Sequence, residues 1–192
     1  GVLRPLDLQA RQYLLCIGTL EPRKNLQLAI DGYLALPAAL RQRFPLLIAG
    51  MPGWGADQLQ ASLQRALASG QVRLLGYQSD PVLAALLAGA RLLLFPSLYE
   101  GFGLPVLESF AAGVPVVCSN TTAMPEVAGG AALQVNPLQV GEITDAMQLI
   151  ANGGADVSRM VAAGLARAQQ FSWDQTAHGT VQVYRRVLQH GG

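Results

Sequence analysis

The 192-residue chain has two cysteines and two histidines, and the sequence nowhere gathers them. Cys16 and Cys118 lie in separate apolar, strand-like runs, and His178 and His190 both fall near the C-terminus. A His/Cys metal site is therefore not expected, and two buried reduced thiols are expected rather than a disulfide. No D-x-D occurs, so the short carboxylate pair that clamps a divalent ion is missing as well, and no metal ligand is assigned. Charge of either sign is scarce: 13 Lys and Arg against 12 Asp and Glu leave a formal +1, which favours neither nucleic acid nor an acidic surface as partner. Long uncharged apolar runs are absent too. Asp80 and Arg91 interrupt the richest region, and 109–125 is too polar to span a bilayer, so no transmembrane segment is expected. No repeat, low-complexity tract or signal peptide is visible, and the start at Gly1 rather than Met leads us to expect an upstream part.

What the chain has is apolar mass. It is 51% hydrophobic with a mean hydropathy of +0.31, the profile of many fully buried strands in one domain with a sizeable core. Apolar runs at 13–17, 46–49, 72–75, 91–95, 114–118 and 131–135 read as six strands. Helical patterns separate them. One starts after Asn25, placed as an N-cap, and carries Leu28, Ala29, Gly32 and Leu36 on one face. Others are expected at 38–44, from Asp57 to about 69, from Ser79 or Asp80 onward, at 105–112, at 138–151 and at 157–170. A last helix begins at Ser172, where Ser172 and Gln175 have capping-box spacing. Six alternations of strand and helix with short connections predict a parallel sheet covered on both faces. The loops after strands one to five then share the carboxyl edge, where open α/β sheets bind ligands.

The densest chemistry sits at 96–115, PSLYEGFGLPVLESFAAGVP. The run LLLF precedes it, Gly101 and Gly103 make a loop, and Pro105 suits the first turn of a helix that Gly113 stops, with Pro115 two residues on. The amides of Gly103 and Leu104 then lie at a positive dipole end that suits a phosphate. Glu100 and Glu108 bracket that end. Carboxylates would repel a phosphate, so they should reach past it to neutral hydroxyls; an anion site with two hydroxyl acceptors describes a nucleotide sugar. The pair could alternatively be the acid and base of a glycoside hydrolase, but such an enzyme has no diphosphate to hold. An NAD-type oxidoreductase is disfavoured because GTLEPR, not G-x-G-x-x-G, follows the first strand.

Glu100 and Glu108, seven residues apart around FGLP, together with GTLEPRKNL (18–26) and LLGYQSD (74–80), resemble the E-x7-E retaining glycosyltransferases of the two-domain GT-B architecture. The likeness is greatest to glycosyltransferase family 4 and its bacterial GDP-mannose-dependent mannosyltransferases, and it runs from about Tyr13 to Tyr184. It implies a Rossmann-like three-layer α/β domain with a six-stranded parallel sheet, one half of a GT-B enzyme. Residues 1–12 would be an interdomain linker, 13–171 the nucleotide-sugar-binding domain, and 172–192 a C-terminal helix crossing to a missing N-terminal, acceptor-binding domain.

By the same resemblance Lys24 meets the donor diphosphate, with Arg23 beside it. Many members carry an arginine directly after the glycine that ends the first strand; Thr19 stands there in this chain, and the second cation is given to Arg23. Glu108 would accept from the ribose hydroxyls and Glu100 from the transferred sugar. Gly18, Tyr77, Phe102, Gly103 and Leu104 complete the expected donor contacts, and the loop with Gly50, Gly53, Trp54 and Gly55 borders the base. Glu100, Lys24 and Arg23 are the catalytic candidates. No cofactor is implied beyond the donor substrate, with GDP-mannose the guess, and the activity would be metal-independent. The location implied is cytoplasmic, at the periphery of the inner membrane through the missing domain, in polysaccharide biosynthesis. A non-catalytic nucleotide or nucleotide-sugar binding module remains the alternative.

Overall fold

A computed structural model describes residues 3–51 and 61–190. The expected Gly53, Trp54 and Gly55 loop and the helix start at Asp57 lie outside them. Six parallel strands are present: β1 (Leu14–Ile17), β2 (Leu46–Ala49), β3 (Val72–Gly76), β4 (Leu92–Phe95), β5 (Val116–Ser119) and β6 (Leu133–Val135). Their order across the sheet is β3-β2-β1-β4-β5-β6. The connections thus run one way from β1 to β3 and the other way from β4 to β6. A crevice opens where the direction reverses, between the carboxyl ends of β1 and β4.

The helices are α1 (Leu26–Leu34), α2 (Ala38–Arg43), α3 (Ala61–Ala68), α4 (Asp80–Gly89), α5 (Leu104–Ala111), α6 (Met124–Ala128), α7 (Val140–Asn152), α8 (Ala155–Ala168) and α9 (Trp173–His190). Helix α6 was not foreseen; it is a single short turn-rich piece that buries Met124 and Val127. Alternate residues of each strand feed two apolar cores, as a pleated strand covered on both faces requires. Leu14, Cys16, Leu46, Ile48, Leu92 and Leu94 face one core, with Ile30 and Tyr33 of α1 and Ile143 and Met147 of α7. Leu15, Leu47, Leu93, Phe95 and Cys118 face the other, with Leu86 of α4 and Val106 and Phe110 of α5. The expected free thiols are thus both buried, one in each core. Leu3, Leu6 and Leu8 pack against the second core, so the first residues lie on the domain's surface.

Because α1, α4, α5 and α7 each return from the carboxyl edge to the amino edge, their C-termini collect at the amino edge. Arginines meet them there. Arg11 donates to the carbonyls of Ala90 (2.8 Å) and Gly113 (3.4 Å), just past α4 and α5. Arg41 donates to Leu34 (2.7 Å) and Leu36 at the end of α1, and Arg91 to Ala151 (3.0 Å) in the last turn of α7. These guanidiniums satisfy carbonyls that a helix end leaves without intrahelical partners, on the negative end of the dipole. Burial, with Arg43 and Arg11 nearby, lowers the Arg91 pKa from its ordinary value.

Burial also pushes Cys16 and Cys118 up to about 12 from 9.0, and Tyr13 and Tyr33 up to about 12 from 10.0. The folded chain therefore holds protons that the unfolded chain releases first. Stability is fully present below the unfolded values and falls as pH rises through the window between about 9 and about 12. Urea unfolding from pH 7 to pH 11 should show a falling midpoint in that upper range. Alkylation of either cysteine at pH 8 should track unfolding rather than precede it.

Candidate functional site

The loop after β1 is built by Pro22 and Asn25. Pro22–Lys24 forms one 3₁₀ turn, closed by bonds from the Lys24 and Asn25 amides to the carbonyls of Glu21 (2.9 Å) and Pro22 (3.0 Å). Asn25 ends that turn at φ 57°, a left-handed conformation that Asn tolerates better than most residues. The turn points Lys24 back across the end of its own strand. A Cβ on Gly18 would stand 2.9 Å from Lys24 Cε, so Gly18 leaves the space in which the lysine stem lies. Gly50, at the end of β2, is bare for a similar reason, since its Cβ would meet the Gly18 carbonyl at 1.9 Å.

Lys24 Nζ then lies 4.9 Å from the centroid of the Phe95 ring and 2.5 Å from Glu100 Oε1. Arg23 Nη1 reaches the other oxygen, Glu100 Oε2, at 3.3 Å, while Arg23 Nε holds Glu21 Oε2 at 2.8 Å. The result is an alternating chain, Glu21–Arg23–Glu100–Lys24, in which Lys24 and Glu100 are only 12% and 11% exposed and Arg23 is 44% exposed. Strand order explains the meeting. β1 and β4 are neighbours, so loops more than seventy residues apart in sequence share one crevice.

Glu100 is held by its backbone as well. Its amide donates to Thr122 Oγ1 (3.2 Å), and the preceding Leu98 amide donates to the Arg23 carbonyl (2.8 Å). Two residues past Phe102, α5 begins at Leu104, one residue earlier than expected, with Pro105 in its first turn. Its N-cap is Gly103 at φ 103°, with no side-chain cap and no acid in the first turn, so the positive dipole end has no internal counter-charge. Gly103 is also tightly packed: a Cβ there would lie 2.4 Å from Met124 Cε and 3.8 Å from Phe95 Cε1. Phe95 therefore adjoins both the Lys24 ammonium and the start of α5.

The structure gathers Gly18, Arg23, Lys24, Glu100 and Gly103 around the crevice. The side chains of Phe102, Leu104, Glu108 and Tyr77 are not among these contacts. Phe102, Leu104 and Glu108 line a groove of about 500 Å³ whose other wall is Phe171, Ser172, Trp173 and Thr176. Phe102 meets Phe171 edge to face at 6.0 Å. Glu108 is exposed on α5 and opens onto that groove. Tyr77 is 70% exposed just past β3, which is two strands from β1, or about 10 Å at ordinary strand spacing. Ser172 Oγ accepts from the Gln175 amide at 3.1 Å, as the capping-box spacing predicts.

Asn25 corrects an expectation. Read as an N-cap, it makes no side-chain cap bond to α1. Its Nδ2 instead donates to the carbonyls of Pro96 (3.1 Å) and Pro137 (2.7 Å), joining the loops after β1, β4 and β6. The left-handed backbone turns the side chain away from the helix it precedes. A Lys-Asn pair closing a proline turn was the available signal, since Asn is favoured where φ is positive. Thr122, itself at φ 55°, was missed because nothing in TTAMPEV marks one threonine over the other.

Residues 6–166 match the family model described as glycosyl transferases group 1. The O-antigen chain mannosyltransferase B of Escherichia coli is 42% identical over 186 residues, covering 96% of this chain and 48% of that protein. In fold, sucrose-phosphate synthase from Thermosynechococcus elongatus superposes with a TM-score of 0.82 at 23% identity over 97% of this chain and 48% of its own. The C-terminal domain of a glycosyl transferase group 1 protein, LpcC from Francisella tularensis, gives 0.72 at 18% identity over 88% of this chain and 90% of its own.

Asn25 is expected to matter in two separable ways. Asn25→Gly keeps the backbone free at positive φ but leaves two carbonyls without their donor, and should lower unfolding free energy by about 1–3 kcal/mol. Asn25→Ala adds the cost of a left-handed Cβ, roughly 1–2 kcal/mol more. Equal losses in urea melts of the two variants would show that the backbone conformation is not the constraint.

Proposed function

The chain belongs to the glycosyl transferases group 1 family, and from that premise we propose that it is the donor-binding half of a retaining hexosyltransferase. The donor is a nucleoside-diphosphate sugar, with mannose as the sugar, the residue named in the matched E. coli mannosyltransferase. The observation that carries the reading is the meeting of Lys24 and Glu100 at the reversal of strand order, beside a helix N-terminus with no side-chain cap.

The diphosphate would lie on the Gly103–Leu104 amides with Lys24, and Arg23 at its outer side. As the bond between the anomeric carbon and the diphosphate breaks, negative charge grows on the leaving oxygen. Fixed cations and amide dipoles stabilise it without reorganising. That arrangement needs no divalent ion. Glu108 takes the ribose hydroxyls, Glu100 the hydroxyls of the sugar, and Tyr77 borders the base on the side of β3.

The chain spans about half the length of the E. coli O-antigen chain mannosyltransferase B that it matches. Binding an acceptor and closing over the donor are assigned to the part of such proteins that this chain does not match. Helix α9 supports this division: Trp173, Val181, Val183, Tyr184, Val187 and Leu188 are all exposed on it, an apolar face that a second domain would cover. Among the described residues, no helix is long and apolar enough to cross a membrane.

Calorimetric titration with GDP-mannose tests the donor site. Glu108→Ala removes charged hydrogen bonds at the ribose that contribute about 1.5–3 kcal/mol, so its affinity should fall roughly ten- to hundredfold. Binding should be the same with and without a chelator. Wild-type affinity in a folded Glu108→Ala chain would remove the ribose assignment, and loss of binding on chelation would remove the metal-free diphosphate site.

A further inference from the structure

Lys24, assigned to the phosphate, and Glu100, assigned to the sugar, occupy each other. Building on the donor-site reading above, we propose that Glu100 is a specificity residue: it is the resident counter-ion of Lys24, and it makes the site favour a sugar-bearing nucleotide over the bare nucleoside diphosphate.

Lys24 has little freedom to leave. Its stem lies across Gly18, its ammonium sits on the face of Phe95, and its position is only 12% exposed. Backbone bonds likewise hold the Glu100 loop, from Leu98 to Arg23 and from Glu100 to Thr122. A diphosphate approaching Lys24 therefore meets a carboxylate 2.5 Å from the same ammonium, on a side chain that is itself 11% exposed. Like charges that close exclude one another, so the Glu100 side chain must rotate away as the phosphate arrives.

What it finds then depends on the ligand. With a sugar attached, the hydroxyls donate to Glu100 and replace the ammonium it has lost. Without a sugar, its remaining partner is Arg23, at 3.3 Å and nearly half exposed, itself shared with Glu21. A shielded carboxylate left with a weaker partner is costly. The bare diphosphate, which is also what transfer leaves behind, thus competes with Glu100 for Lys24, whereas the intact donor does not.

The test titrates the 192-residue chain with GDP and with GDP-mannose, and in parallel with UDP and UDP-glucose. The wild type is compared with Glu100→Gln, which keeps shape and removes charge, and with Glu100→Ala as a second variant should the first fold poorly. Thermal unfolding checks each. The expected result is that both variants bind the bare nucleoside diphosphate more tightly, by roughly three- to tenfold for loss of one partly shielded competing charge. The sugar nucleotide should gain nothing or bind more weakly, so the preference between the two ligands shifts towards the bare one. Unchanged or weaker binding of the bare diphosphate by the folded variants, with a wild type that binds both ligands, overturns the counter-ion role and leaves the donor site standing. A wild type that binds none of the four ligands overturns the donor site and this inference with it.

Discussion

A parallel sheet fixes the direction of the helices that return along it from one strand to the next, and much else here follows from that. All strands point one way, so all returning helices point the other. Their carbonyl ends accumulate at one edge and their amide ends at the opposite edge. The chain answers each edge with different chemistry. Arg11, Arg41 and Arg91 neutralise carbonyls at the amino edge, each tying a helix end to another part of the fold. At the carboxyl edge α5 begins on a glycine without a side-chain cap, and the acids nearby are engaged by Arg23 and Lys24. A near-zero net charge therefore conceals an ordered separation of roles.

Close approach at the crevice is made possible by leaving atoms out. Gly18 makes room for the Lys24 stem, Gly50 for the Gly18 carbonyl, and Gly103 for Met124. In each case a single Cβ would displace a functional or supporting group, so these positions are set by what lies against them. Asn25 then joins three loops with two buried hydrogen bonds, to carbonyls that would otherwise lose their donor.

The fold was largely legible because buried strands announce themselves. LLCI, LLIA and LLLF lack any polar alternation, and each is a strand within a residue of its expected bounds. Boundaries slipped where apolar residues continue past the hydrogen-bonded ladder: 114–118 became Val116–Ser119, because Val114 is buried by packing before pairing begins. Short α6 escaped because five residues carry too little periodicity. At the site, residue types were readable and their partnerships were not. Nothing local in EPRKN or YEGFG says that Lys24 and Glu100 touch; that depends on strand order, a property of the whole sheet. Asn25 shows the converse limit, since its position before a helix was right and the direction of its side chain was decided by a backbone angle.

The charge balance of the crevice bears on how the proposed anion site would work. Glu21, Arg23, Glu100 and Lys24 sum to zero, so a distant phosphate feels no net attraction from them. Long-range steering is therefore a poor account of recognition, and it would be weaker still across a Debye length of about 8 Å at physiological salt. The attraction must arise at contact. There the amides at the start of α5 offer directional donors at a positive dipole end, and Lys24 offers an ammonium that is prepositioned but not free. A site neutral at a distance and cationic only after one carboxylate turns aside admits an anion that can reward that turn. By this argument selectivity resides in the rearrangement of a pre-formed ion pair, and the same pair keeps two charged side chains ordered in a half-buried crevice when no ligand is present.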